Sequence, residues 1–172
     1  MRVLVYGFEP YRQFQKNITQ QIVRKLPASR SLKKVIFRVR FDKKQFTDAV
    51  KKHRPDIVFG LGQCSSGRLL RIERRAVNKR RNHKQEKPRS ILRAAPKSIP
   101  ITLQLEKSAI GERAKISYDA GDYVCNFSMY VILDYLWRNS PDTRFGFIHV
   151  PRDYDSKRAA KFVEKILRDA RS

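Results

Sequence analysis

Short apolar blocks separated by proline- and glycine-marked polar stretches run the length of the chain, and their spacing alternates between the period of strands and that of helices. Val3-Leu4-Val5-Tyr6, closed by Gly7, predicts a buried first strand leading into a loop through Pro10. Asn17 is placed to cap a helix with Ile18, Ile22, Val23 and Leu26 on one stripe, and Pro27 lies just past its end. Val35 to Phe41 alternates apolar and basic residues, the pattern of a half-covered strand. A helix carrying Phe46, Ala49 and Val50 follows and must stop before Pro55. Asp56 to Leu61 predicts another buried strand, with Gly60, Gly62 and Gly67 around a loop where backbone can approach a ligand closely. Ile99 to Leu105 resumes ordered structure, Ala114 to Tyr118 reads as a strand, and Val124 to Trp137 as an apolar helix ending near Asn139 and Pro141. Phe145 to Val150 supplies a last buried strand, after which Asp155 or Ser156 caps a terminal helix with Ala159, Phe162, Val163, Ile166 and Leu167 facing inward.

Strands and helices in alternation predict an α/β fold with a largely parallel sheet covered on both faces, and such sheets place their sites at the carboxyl ends of strands. The 172 residues fit one domain. One stretch breaks the pattern: Lys79 to Arg93 holds seven basic residues and one acidic residue around Pro88, and reads as a mobile basic surface loop extending to about residue 98.

Composition adds three constraints. No apolar run approaches the ~20 residues that span a bilayer, and the N-terminus lacks the regions of a signal peptide, so no membrane association is expected and the expected location is the cytoplasm. Only two cysteines, Cys64 and Cys125, are present, and a reducing compartment leaves both thiols free. The formal net charge of +23 creates a field that attracts polyanions, so non-specific polyanion or RNA binding stands beside the blander reading of a solvated basic surface. No internal repeat, dinucleotide or phosphate-binding glycine series, or metal-ligand spacing appears, so neither metal nor cofactor is expected.

The candidate chemistry lies in three separated places. Cys125 follows the turn Asp119-Ala120-Gly121-Asp122 at the start of a helix, where amide donors and the positive helix end favour a thiolate; the competing reading is a small buried cysteine. His149 follows Phe145-Gly146-Phe147-Ile148 at a strand's carboxyl end, as a base or as a hydrogen-bonded structural group. Glu73, within Arg71-Ile72-Glu73-Arg74-Arg75, has the competing reading of a surface carboxylate paired with adjacent arginines. His53 at an exposed helix end and His83 in the basic loop are weaker candidates, as is Cys64, where no helix begins.

Several blocks in fixed order, Gly7-Phe8-Glu9-Pro10, Arg54-Pro55-Asp56-Ile57, Glu73-Arg74-Arg75-Ala76-Val77-Asn78, Ala120-Gly121-Asp122-Tyr123-Val124-Cys125-Asn126 and Gly146-Phe147-Ile148-His149-Val150-Pro151, resemble those of the pyroglutamyl peptidase I family. The resemblance covers most of residues 2 to 151 and is poor from Lys79 to Arg93. It implies a three-layer α/β/α sandwich with a largely parallel mixed sheet and a cysteine peptidase that removes N-terminal pyroglutamate from peptides. It also implies a Cys125-His149-Glu73 triad, with Phe8, Tyr11, Gln63 and Tyr123 contacting the lactam ring. The family's partners imply peptide substrates, and a homo-oligomer is kept open. The departures are Arg12-Gln13 in place of a glycine pair, hydroxyls on Tyr11 and Tyr123 where phenyl rings are usual, and His83 where the family's A-R-I-P-D-N loop has its arginine. Arg152-Asp153-Tyr154-Asp155 also replaces a proline-containing segment. The alternative function is an impaired relative that binds RNA or another polyanion through the Lys79 to Arg93 loop.

Overall fold

Alternation along β1 (Val3–Phe8) sends Val3 and Val5 to one face of a sheet and Leu4, Tyr6 and Phe8 to the other, and both faces are buried. In the computed structural model, which describes residues 1–11, 14–65, 67–105 and 111–170, this strand lies inside a six-stranded sheet. The other members are β2 (Leu32–Phe37), β3 (Ile57–Cys64), β4 (Leu70–Glu73), β7 (Ala114–Ser117) and β8 (Arg144–Pro151), in the order β2-β1-β3-β8-β4-β7. Every neighbouring pair is parallel except β4 with β8. Two short strands, β5 (Arg75–Val77) and β6 (Ser98–Pro100), form a separate antiparallel pair.

Helices α1 (Ile18–Lys25) and α4 (Ser156–Asp169) pack their apolar stripes with Val3, Val5, Phe59 and Ile148 on one face. On the other, α2 (Lys43–His53) and α3 (Val124–Asn139) pack with Leu4, Tyr6, Val58 and Phe147. The three-layer sandwich is therefore as expected. Caps fix the helix starts: Asn17 Oδ1 accepts from Thr19 N (3.0 Å), Asp42 from Lys44 N (3.0 Å) and Asp155, rather than Ser156, from Arg158 N (2.8 Å). No helix among the described residues is long and apolar enough to cross a membrane.

Three elements differ from expectation. The second strand is Leu32–Phe37, not Val35 to Phe41, because β1 offers partners only from Val3↔Leu32 to Phe8↔Phe37. Beyond them Gln45 takes over the Arg38 backbone, accepting from its N (3.2 Å) and donating to its O (3.1 Å). β3 continues past Leu61 to Cys64 because β8 pairs with it as far as Cys64↔Pro151, so Gly60 and Gly62 are strand residues and not loop residues. The segment Lys79 to Arg93, read as a loop with few anchors, is tied at its base: Arg80 and Arg89 exchange two 2.8 Å backbone bonds, and Asn78 Oδ1 accepts from Ile91 N and Leu92 N.

Candidate active site

Strand β8 delivers His149 near its carboxyl end, and β4, running antiparallel beside it, pairs Arg71 with His149 and places Glu73 two residues deeper. Glu73 is fully buried and its Oε1 lies 2.8 Å from His149 Nδ1. The reading of Glu73 as a surface carboxylate paired with its arginine neighbours therefore fails: Arg74 Nη2 bonds Gln104 Oε1 (3.3 Å) and Arg75 Nε bonds the Tyr118 carbonyl (2.8 Å).

Cys125 approaches from the other side, in the first turn of α3. A Cβ built on Gly62 would stand 2.8 Å from both Cys125 Sγ and His149 Nε2, so thiol and imidazole meet over the bare glycine. Burial, the largest single influence on His149, pulls its pKa down, but the hydrogen bonds and charges of Cys125 and Glu73 outweigh it and raise it from 6.5 to about 9. The imidazolium is the favoured form at neutral pH. Tyr123 gives α3 no side-chain cap, which leaves amides of the first turn, Cys125 N–H among them, as donors for a developing oxyanion.

Gly62→Ala follows as a sharp test, since its methyl would enter space occupied at 2.7–2.8 Å by His149 and Cys125. We expect kcat to fall by ~100-fold from the resulting displacement, with an unchanged circular dichroism spectrum because β-strand backbone accepts alanine. An alanine variant with wild-type kcat would show that the two groups do not act across this glycine.

The sequence reading missed Asn126. Its Oδ1 accepts from Val77 N (2.9 Å) and its Nδ2 donates to the carbonyls of Val77 and Lys79 (2.9 Å each), tying the helix of Cys125 to β5 and the root of the basic loop. The adjacency of Cys125 and Asn126 was visible in the sequence, but the clamp was not, because its partners lie 47 and 49 residues away. Ser128 Oγ donates to the Cys125 carbonyl (2.7 Å), fixing the same turn. Arg81 is also structural: its Nε lies 2.8 Å from Asp122 Oδ2 and its N donates to the Asp122 carbonyl (2.9 Å).

The pyroglutamyl peptidase family model matches residues 1–160. The chain belongs to that family. It is 28% identical over 169 residues to the pyrrolidone-carboxylate peptidase of Bacillus subtilis, covering 87% of this chain and 78% of the relative. With the pyrrolidone-carboxylate peptidase of Thermococcus onnurineus it shares 29% identity over 188 residues, covering 98% and 94%. A mutant pyrrolidone carboxyl peptidase from Pyrococcus furiosus superposes with a TM-score of 0.89 at 25% identity, covering 99% of this chain and 98% of that one.

The four residues that the pyroglutamyl peptidase resemblance assigns to the lactam ring line one cavity of ≈ 170 Å³, together with Phe14, Asn17, Val39, Ser65, Val124 and Cys125. Gln63 Oε1 accepts from Ile18 N (2.9 Å) at the start of α1, so the amide nitrogen is what Gln63 can offer a ligand. The two hydroxyls that depart from the family pattern satisfy each other: Tyr123 Oη donates to Tyr11 Oη at 2.5 Å. Arg12 and Gln13 lie outside the described residues. His83 is exposed in the basic loop, away from this cluster of hydrogen bonds, and His53 sits at the end of α2. In the replaced segment, Arg152 N donates to the Cys64 carbonyl (3.0 Å) and Asp155 caps α4. Cys64 ends β3 and is half-buried, and burial pushes its thiol up, which keeps it protonated and a poor nucleophile.

Proposed function

We propose that this chain is a cysteine peptidase that releases N-terminal pyroglutamate from peptides, with Cys125 as nucleophile, His149 as acid and base, and Glu73 orienting the imidazole. The observation that carries the reading is the line from Cys125 through His149 to Glu73 opening on the small apolar cavity that Cys125 itself lines. A five-membered lactam is flat, neutral and mostly apolar, and suits a slot with aromatic walls and one amide donor. The thiolate adds to the carbonyl carbon of the bond after pyroglutamate while the Cys125 amide receives the oxyanion. His149 gives its proton to the leaving amine as that C–N bond breaks, then takes one from the water that hydrolyses the thioester.

Turnover of a fluorogenic pyroglutamyl amide, with the prolyl amide as control, tests the reading. Hydrolysis of the first alone is the expected result, and hydrolysis of both or neither would remove the assignment.

A pH prediction follows from the charge on His149. Loss of the imidazolium proton removes the acid for amine departure, so activity is expected to decline as pH rises through about 9. In Glu73→Gln one of the interactions that raise His149 is gone, so this alkaline limb is expected to move to lower pH, with a smaller loss of kcat than removal of the thiol. A limb that stays in place in Glu73→Gln would show that the carboxylate does not hold the proton.

A further inference from the structure

The positive charge of the chain is unevenly placed. From Arg24 to Arg54, twelve lysines and arginines stand against Asp42 and Asp48, a net +10 in 31 residues, so under a fifth of the chain carries over two-fifths of its +23. All twelve cations are exposed, and Asp42 is already engaged by Arg40 at 2.8 Å.

The fold gathers these cations along one edge. β2 is an outer strand of the sheet, flanked by α1 on one face and α2 on the other. Its alternation sends Lys34 toward α1, where Nζ donates to the Leu26 carbonyl beside Arg24 and Lys25, and Lys33 toward α2. There α2 ends in Lys51-Lys52-His53, and the charges of Lys52 and Lys33, from two different elements, both act on His53 and help to lower its pKa after partial burial. Arg38, Arg40, Lys43 and Lys44 follow β2 at its carboxyl end, where Val39 lines the cavity with Cys125, and the other eight cations lie toward its amino end, away from the thiol. Lys33 is level with Leu4 and Val58, four residues or about 13 Å before Gly62 along the strands.

We propose that this band, formed by the end of α1, edge strand β2 and the end of α2, docks on the phosphate backbone of double-stranded nucleic acid without reading its sequence. The six residues of β2 extend about 20 Å, the axial rise of about six base pairs of duplex. Among the described residues the exposed large hydrophobic ones, Met1, Ile116, Tyr118 and Trp137, all lie outside it. It has cations for phosphates and no exposed aromatic ring on which unpaired bases would stack, so duplex is favoured over single strand. The basic loop meets this segment beyond the carboxyl end of β2, where the Arg80 guanidinium stands 5.1 Å from the Phe41 ring centroid, and its Arg81 is already engaged by Asp122.

The test is fluorescence anisotropy with the full chain and a labelled duplex of about 20 base pairs, from about 50 to about 200 mM salt. Affinity is expected to fall linearly on logarithmic axes. Lys33→Gln/Lys51→Gln/Lys52→Gln should weaken binding at least ~10-fold at the low-salt end and reduce the slope by about 2 to 3, while pyroglutamyl amide hydrolysis stays as in wild type. Lys84→Gln/Lys87→Gln/Arg89→Gln should change binding by less than ~2-fold, since the loop that carries them is tied to Asn78 and Asp122 rather than to the band. The proposal is overturned if the first triple variant binds like wild type, if the loop variant loses binding instead, if a single strand binds more tightly than duplex, or if only vesicles containing phosphatidylserine are bound. Each outcome that overturns it is a binding measurement, so a failure of the hydrolytic assignment leaves it unaffected.

Discussion

Alanine at position 125 is expected to lower pyroglutamyl amide hydrolysis by about 10⁴-fold or more, because a nucleophile that works as a unit with its base cannot be partly replaced. Of the three residues of the line Cys125 alone lines the cavity, and a water in place of its thiol would be an acyl acceptor that nothing holds in position. The fold should survive, since Cys125 is half-buried and its helix is held by Asn126 and Ser128 rather than by the thiol. Cys64→Ser should retain most of the activity, and in wild type, iodoacetamide should label Cys125 in step with inactivation. Steady-state rates on the two variants, with labelling read by mass spectrometry, decide the matter. Wild-type turnover in Cys125→Ala would end the assignment.

His149→Ala is expected to be as inactive as Cys125→Ala and, unlike it, less stable. Glu73 is fully buried, and its Oε2 has no hydrogen-bond partner among the described residues, so His149 supplies the bond that its carboxylate depends on. Removing one partner of a buried pair while leaving the other typically costs about 3–5 kcal/mol, enough to lower Tm by several degrees in a domain of this size. The margin over the variant should also depend on pH. Because the folded chain holds the His149 proton more tightly than the unfolded chain, that part of its stability is complete below about pH 6.5 and disappears as pH rises through about 9. Thermal melts of both variants across this range are the measurement. Equal melting temperatures for His149→Ala and Cys125→Ala would mean that the carboxylate does not rely on the imidazole.

Legibility in the sequence followed the reach of each interaction. Helix α4 was readable because Ala159, Phe162, Val163, Ile166 and Leu167 repeat with the helical period and all become buried. Strand β1 was readable because four apolar residues in a row suit a strand covered on both sides. The ends of β2 and β3 were not, since a strand stops where its neighbour stops, and the neighbour's register is absent from the strand's own residues. β4 and β5 went unread because Arg71, Glu73, Arg74 and Arg75 give a charged pattern, while the burial of Glu73 arises from the antiparallel pairing of β4 with β8. The same pairing brings together residues 73 and 149, a juxtaposition that local patterns do not contain; the ordered family blocks pointed to it instead. Gly62 read as a loop glycine for the same reason: the groups that need its missing side chain come from β8 and α3.

Burial deepens steadily along the line, from half-buried Cys125 through His149 at 6% exposure to Glu73 at 0%. For protons this is a blind alley. A proton on Nδ1 faces a carboxylate with no exposed surface, so it reaches solvent only if the imidazole swings out or the core opens. Through successive turnovers the inner proton should stay where it is while the outer nitrogen alone loads and unloads, and in heavy water the inner site should be the last of the ring to exchange. Diffusing reagents are sorted in the same way: alkylating agents find the sulfur, whereas carbodiimides, which would have to reach Glu73, find only the surface acids.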